Sequence, residues 1–563
     1  MYLCGLIKIC GMKHYILSVL WLFFALTLPA QNPTCYRIYL SDKANSPYSI
    51  DNPSAYLSQR AIDKRERFDI PITEQDLPVN PQYKQQILGF DAEMQVLAVS
   101  KWMNTVTIYC PDSTVVPQIE ALPFVDSVMA VGNYILNDPP VYQQPENPIP
   151  LVHNTLSTSK DTSDYGVALP QIALINGVPL HEAGFRGEGM LIAVIDGGFY
   201  GIETTSFYQQ LVFDGRFYGH YSLMPDFVDT LQSGWDEVHG TIVTGAMAAN
   251  TNGEVVGTAP NASYALIHTE WVGSEEIIEE DFWANGAEIA DSLGADVINS
   301  SLGYRTFPDF PQNDVTYENM DGVHSIASRC ATILGQKGVI VCVAAGNDGN
   351  NQYYYVSRPG DAFDILCVGA CTSDSIIAEF SSHGPSYDGR VKPDITSQGV
   401  QTATYYPNDW VYFANGTSLA TPVAAGMCAC LWQAMPCYTS TEMMQIIRES
   451  AHLYDNPNTE YGYGIPDFYK AYTTHVGISD YKPLTLSIYP NPVTDQLHIV
   501  NPNGNIQTVT LYNASGQLVL QHAVNGNPLI EINVTSLPKG FYVGTATLNN
   551  HQTATFKFIK RIP

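Results

Sequence analysis

The sequence predicts an α/β architecture: a doubly wound, mostly parallel sheet, preceded by a small α/β unit and followed by a β-sandwich. Three observations lead there. Unbroken apolar runs at 190–195, 297–298 and 338–345 read as strands buried on both faces, as parallel strands are. The stretches 239–249 and 423–427 are almost wholly small and apolar, so they read as helices packed inside. From residue 486 onward, short alternating runs separated by Gly, Asn and Pro read as sandwich strands. At 563 residues the chain is also too long for one ordinary domain.

In chain order, Lys13 and His14 precede the apolar run 15–26, and Ala30 offers a small residue before Gln31. Residues 1–30 therefore read as a secretory signal peptide, with Met12 as an alternative start. A membrane anchor is the other reading and needs about 20 apolar residues. No later segment is long enough to span a bilayer. Residues 31–135 alternate strand-like runs (36–40, 94–99, 105–109, 125–131) with helical ones (58–68, 116–122), the pattern of a ferredoxin-like unit. Residues 136–170 open on the Pro-rich 138–150 and continue Ser/Thr-rich, so they read as an exposed linker.

Three polar residues stand out in small-residue contexts. Asp196 ends the run 190–195, at the strand end where open α/β sheets place their sites. His239 starts the helix 239–249. Ser418 lies in Asn415-Gly416-Thr417-Ser418-Leu419-Ala420-Thr421-Pro422, where Gly416 permits a tight turn and Pro422 suits the first position of a helix. A hydroxyl at a helix N-terminus meets positive partial charge, but serine is a weak nucleophile without a base. A fourth run, 338–349, ends in Gly346-Asn347-Asp348-Gly349. Singly, Asp196 reads as a cap or a salt-bridge residue, His239 as a helix start and Asn347 as a turn residue.

Taken together, the order Asp196, His239, Ser418 and its contexts resemble the subtilisin-like serine proteases over 171–475. The resemblance implies a subtilisin-like fold. It makes Ser418 the nucleophile, His239 the base and Asp196 the group that orients the imidazole. Asn347 and the Ser418 N–H would hold the oxyanion. Ser301, Leu302 and Gly303 would pair with an extended substrate, and Ala344, Ala345 and Gly346 would wall the primary specificity pocket. Residues 380–385 and 390–395 match further landmarks, whereas Ser397-Gln398-Gly399 departs from the family pattern. Arg358-Pro359 stands where the family often has a cis proline. Sedolisins carry Glu where His239 stands, so the His-Gly-Thr context argues against them. A lipase would need a Gly-x-Ser-x-Gly elbow, which Ser418 lacks. Asp348 and Asp361, near the pocket segments, are expected to favour basic side chains. The aromatic-rich interval from Asp196 to His239 is either a surface insertion or packs on the core.

The ferredoxin-like unit fits the inhibitory prodomain of this family, cut from it within 135–170; a permanent accessory domain is the alternative. The opening Tyr489-Pro490-Asn491-Pro492 and the later Leu537-Pro538-Lys539-Gly540-Phe541-Tyr542 resemble the sorting domain of type IX secretion cargo in Bacteroidetes, over 484–563. A carbohydrate-binding or adhesive domain is the alternative. The net charge of −29, from 26 basic and 55 acidic residues, argues against nucleic acid as a partner. Among the 11 cysteines, Cys342, Cys367, Cys428 and Cys430 sit in apolar runs and read as small buried hydrophobes; none has zinc-ligand company. No metal site and no required cofactor are expected. Structural calcium is implied by the resemblance alone and has no assigned position. The expectation is a secreted or surface-attached serine endopeptidase acting on proteins or peptides. Its partners would be its own propeptide and the type IX machinery. The alternative is a catalytically inactive, surface-attached binding protein on the same fold.

Overall fold

The computed structural model describes residues 34–133, 164–224, 238–270, 275–308, 311–475, 486–500, 506–524, 529–548 and 553–561. The expected signal peptide and most of the expected linker lie outside these residues. Among the described residues no helix is long and apolar enough to cross a membrane.

The N-terminal unit comprises β1 (Cys35–Leu40), α1 (Gln59–Arg67), α2 (Pro81–Leu88), β2 (Gln95–Ser100), β3 (Thr105–Tyr109), α3 (Val116–Glu120) and β4 (Val125–Gly132). The antiparallel sheet runs β2-β3-β1-β4, the ferredoxin-like order. Ile38, Val106 and Ile108 pack against Ile87 of α2 and Ile119 of α3 on one face. Helix α2 has little sequence signal; it starts because Asn80 Oδ1 accepts from the Gln82 N–H (2.9 Å) and Pro81 sits at the first position.

Six of the seven strands in the catalytic-unit sheet are β5 (Leu191–Asp196), β6 (Phe217–Ser222), β9 (Ser263–His268), β10 (Val297–Ser300), β11 (Ile340–Ala344) and β12 (Leu366–Cys371); the seventh is β13 (Ile395–Gln398). Two short hairpins flank it, β7 (Asn250–Thr251) with β8 (Val255–Val256), and β14 (Thr402–Tyr406) with β15 (Trp410–Ala414). The order is β13-β12-β11-β10-β5-β9-β6, and every pairing is parallel. Its helices include α4 (Leu169–Leu174), α5 (Val178–Glu182), α6 (Ser206–Phe213), α7 (His239–Ala248), α8 (Glu279–Leu293), α9 (Ile326–Gln336), α10 (Thr417–Ala434) and α11 (Ser440–Ser450). Alternate residues of β5 explain the double winding. Ile192 and Val194 enter a core with Val243 of α7 and Val423 of α10, whereas Leu191, Ala193 and Ile195 enter one with Phe282 of α8 and Ala327 of α9. Helix α10 is buried from Thr417 through Trp432, which is why its sequence is apolar all round.

One expectation is corrected here. Pro422 does not start α10, which begins at Thr417, so the proline lies inside the helix. Pro422 has no N–H to donate to the Ser418 carbonyl four residues back. That carbonyl is instead satisfied by the Ser301 hydroxyl, 2.8 Å away. The interval after Asp196 packs on the core where it is described: Phe199 and Phe207 are buried and β6 extends the sheet, while Phe213 is exposed.

The N-terminal unit grips α8 through buried charges. The Arg37 guanidinium forks onto Asp281 (2.6 and 2.5 Å), and Glu288 accepts from Ser100 Oγ (2.6 Å) and from the N–H groups of Lys101 and Trp102. Arg65 of α1 bridges Asp76 and Asp291, and Lys101 also reaches Asp291 (3.2 Å). Burial alone would raise the Asp291 carboxyl, but Lys101 and Arg65 outweigh it and hold it at about 2.

The compact unit at Thr473–Pro563 is separate. Its two sheets are β16 (Ser487–Tyr489), β17 (Gln496–Val500) and β20 (Leu529–Asn533), and β19 (Leu518–Ala523), β18 (Ile506–Asn513), β21 (Gly540–Leu548) and β22 (Thr553–Lys560). Leu497, Ile499, Val509, Leu511, Ile530, Tyr542 and Phe558 fill the space between them, so the sandwich has an apolar core of its own.

Candidate active site

Strand β5 lies between β9 and β10, so the chain changes direction across the sheet at its C-terminal end, and Asp196 is the last residue of that strand. The Asp196 side chain is fully buried. Its Oδ1 accepts from the Gly197 N–H (2.8 Å) and lies 2.6 Å from His239 Nδ1. The close seat of α7 makes that pair: the Gly240 N–H donates to the Gly198 carbonyl (2.9 Å), and a methyl group on Gly240 would stand 2.4 Å from that same oxygen. Ile242, one turn beyond His239, packs on Leu419 beside Ser418, which ties the histidine helix to the serine turn.

Ser418 is the second residue of α10, where backbone N–H groups have no intrahelical partner. Gly416 before it takes φ +146°, a conformation open to glycine. A methyl group there would stand 2.8 Å from Ser418 Oγ, 3.6 Å from the Ser418 backbone nitrogen and 3.7 Å from Asn347 Nδ2. Those three polar atoms thus ring one small space over the bare face of Gly416. Asn347 is aimed by its other end: Oδ1 accepts from Thr417 N–H (2.9 Å) and Thr417 Oγ1 (3.0 Å), leaving the NH₂ directed at the space.

The subtilase family profile matches residues 187–464, the Bacteroidota peptidase S8 propeptide profile residues 35–145, and a secretion system C-terminal sorting domain profile residues 487–561. Subtilisin E of Bacillus subtilis (strain 168) is 30% identical over 306 residues, which cover 54% of this chain and 71% of the relative. The alkaline protease of Alkalihalobacillus alcalophilus is 31% identical over 295 residues, 52% of this chain and 67% of the relative. Subtilisin BL of Lederbergia lenta is 30% identical, with 52% of this chain and 94% of that protein covered. The chain belongs to the subtilase family. It is a serine-type endopeptidase that carries its own propeptide domain and a type IX sorting tail. That tail marks this subtilase as a secreted or cell-surface protein.

Electrostatics at the subtilase site favour a histidine poised to hold a proton. Burial opposes a charged imidazole, but the Asp196 carboxylate and its hydrogen bond outweigh burial, so His239 titrates above its ordinary value. Two nearby groups escape a reading by motif. His268 pairs with Asp196 across β5 and β9; burial, with His220 close by, pushes it to about 4 and keeps it neutral. Glu270 accepts from Tyr304 Oη (2.5 Å) and Thr269 Oγ1 (3.0 Å). Burial, reinforced by Glu275 and Asp196, still pushes its carboxyl well above the usual range. The signal for both was the polar His268-Thr269-Glu270 ending an apolar strand.

The expected substrate segments lie side by side, since β10 carries Ser301–Gly303 at its end and pairs with β11, which carries Ala344–Gly346. The Ser301 side chain is turned inward to the Ser418 carbonyl, so only its backbone is left for a substrate. Ala344 and Ala345 are buried, and Gly346 is half-buried. The Arg358–Pro359 bond is cis. In the departing segment, Ser397 Oγ donates to the Ala420 carbonyl (2.6 Å), and the Gly399 carbonyl accepts from the Gly416 N–H (2.8 Å), so it supports the serine turn. A preference for basic side chains through Asp348 and Asp361 is corrected: Arg305 holds Asp348 (2.7 Å), while Asp361 is buried, accepting from Ser328 Oγ (2.6 Å) and the Gly322 N–H (2.8 Å). Cys342, Cys367, Cys428 and Cys430 are free and buried.

Proposed function

We propose that this subtilase hydrolyses peptide bonds of extracellular proteins and peptides through Ser418, His239 and Asp196 and an acyl-enzyme. His239 Nε2 takes the Ser418 Oγ proton as Oγ bonds to the scissile carbonyl carbon. The carbonyl oxygen becomes an oxyanion held by the Ser418 N–H and Asn347 Nδ2. The C–N bond then breaks, and the imidazolium returns the proton to the leaving amine. Water repeats the sequence on the ester and frees Ser418. Asp196 stabilises the imidazolium and fixes which ring nitrogen carries the first proton. No step calls on a metal or cofactor. The N-terminal unit, clamped on α8, acts as an inhibitor until the chain is cut between it and the catalytic unit.

The observation that carries the reading is the ring of Ser418 Oγ, Ser418 N and Asn347 Nδ2 around one space, in a unit whose His239 is hydrogen-bonded to buried Asp196. Casein hydrolysis by the processed protein tests it. Wild type should cleave, and Ser418→Ala and His239→Ala should each lose nearly all activity while remaining folded. Equal activity in wild type and Ser418→Ala would sink the reading, and no activity in wild type would favour the binding-protein alternative.

A further inference from the structure

The two stretches that make the tail recognisable, 489–492 and 537–542, meet on its last strand, β22. Asn491 brackets the outer edge of that strand: Oδ1 accepts from the Ile559 N–H (2.9 Å) and Nδ2 donates to the Lys557 carbonyl (3.1 Å). Val493 continues the bracket, donating to the Ile559 carbonyl and accepting from the Arg561 N–H (2.8 Å each). On the inner side, Tyr542 stacks on Phe558 (5.3 Å between ring centres) and donates from Oη to the Pro538 carbonyl (2.8 Å). Along 557–561 the strand edge is therefore already paired, and what β22 offers a partner is its outer face. Tyr542, Phe556 and Phe558 point into the core, so Phe541, Lys557 and Ile559 point out. Phe541 lies opposite Ile559, and the two are 44% and 46% exposed. The apolar surface continues through Val543 and Tyr512, opposite each other on β21 and β18, to exposed Leu518 on β19. An exposed apolar surface with a polar rim marks an interaction site.

We propose that this face, centred on Phe541 and Ile559 and flanked by Lys557 and Arg561, docks the tail on a protein of the type IX machinery whose own surface has an apolar centre and an acidic rim. Charge favours that partner. None of the strands β18, β19, β21 and β22 contains Asp or Glu. Residues 487–561 carry four cations, Lys539, Lys557, Lys560 and Arg561, against the carboxylates of Asp495 and Glu531, in a chain whose net charge is −29. The tail is thus the part of this acidic chain that an acidic surface can approach. A lipid surface fits less well. Lys560 is buried, so three cations remain exposed, fewer than the about four to eight that anchor a protein on anionic lipid. A pleated face also sets its cations and rings at fixed spacing, which a folded partner can match. The face lies wholly within the tail, so its role does not depend on the catalytic chemistry.

The test is export of the full chain from a Bacteroidetes host with an intact type IX system, read by immunoblotting the catalytic unit outside the cell and in the periplasm. Wild type should be found outside. Phe541→Ser with Ile559→Ser, and separately Lys557→Glu with Arg561→Glu, should each lower the exported fraction by about tenfold or more, the effect of removing central anchors from an interface. Leu529→Ser, at a comparably exposed apolar site (42%) on β20 of the other sheet, should be exported like wild type. Circular dichroism of the purified full chains checks folding. Should the Phe541 and Ile559 variant not fold, the charge-reversed one, altered only at exposed side chains, decides. Normal export of either folded double variant overturns the proposal, as does an equal block by Leu529→Ser. Vesicles of equimolar phosphatidylglycerol and phosphatidylcholine separate the partners: the full chain should not bind them. Binding that the charge-reversed variant loses would replace the protein partner with a lipid surface and overturn the proposal.

Discussion

Replacing Ser301 with Ala removes the donor that reaches the Ser418 carbonyl, and the structure sets the size of the effect. Both residues are nearly buried, at 7% and 9% exposure, so water does not readily substitute. An acceptor left unsatisfied in such a place costs about 1–3 kcal/mol. In an ordinary helix the residue at 422 would supply an N–H to that carbonyl, but Pro422 cannot. The two positions are therefore coupled. Ser301→Ala should be costly with Pro422 present and much milder with Pro422→Ala, whose new N–H can take over. The coupling energy of this double-variant cycle should be about 1–2 kcal/mol. Calorimetric unfolding of the full chain in an inactive Ser418→Ala background, which prevents self-cleavage, measures it. In the Pro422 background Ser301→Ala should lower Tm by roughly 2–5 °C. An equal loss in both backgrounds would refute the idea that the Ser301 hydroxyl stands in for the missing helical donor.

Further outcomes follow from the same geometry. Gly416→Ala should abolish peptide hydrolysis in a protein that still folds, because its methyl group would stand 2.8 Å from Ser418 Oγ and φ +146° disfavours any side chain; circular dichroism alongside activity checks both halves. His239 must be neutral to accept a proton, so kcat/KM should rise with pH through a midpoint above the ordinary histidine value near 6.5. Asp196→Asn removes the carboxylate that raises it, and the residual activity should show a lower midpoint. The Asp291 carboxyl is depressed to about 2, so its contribution is present above its unfolded value near 4 and disappears as pH falls towards 2. That is about 2 kcal/mol for the clamp on the N-terminal unit; hydrogen exchange in α1 and β2 of Ser418→Ala protein should accelerate over that window, and Asp291→Asn should flatten the dependence.

Much of this molecule is legible in its sequence because its strands are buried on both faces. Leu191–Ile195 and Ile340–Ala344 are unbroken apolar runs for a reason that packing makes plain, and the residue that breaks the first run, Asp196, is the one at the site. Asn347 and Ser418 are legible because small residues must surround a hydroxyl and an amide that share so little space. The start of α10 is not, because Pro422 carries the sequence signal of a first turn while Ser301, just beyond the end of β10, makes its interior place tolerable. Helix α2 is missed because its Gln-rich sequence lacks an apolar stripe. Asp348 and Asp361 illustrate the limit of proximity along the chain: their partners, Arg305 and Ser328, are distant in sequence, and only the fold shows that these carboxylates are spoken for.

The account stands on Ser418 being an activated nucleophile, and the most direct measurement is intact mass followed by peptide mapping after reaction with a fluorophosphonate. The processed protein should gain one adduct, located on Ser418, and His239→Ala should gain almost none. An adduct on another serine, or none on a folded and fully processed wild type, would contradict it.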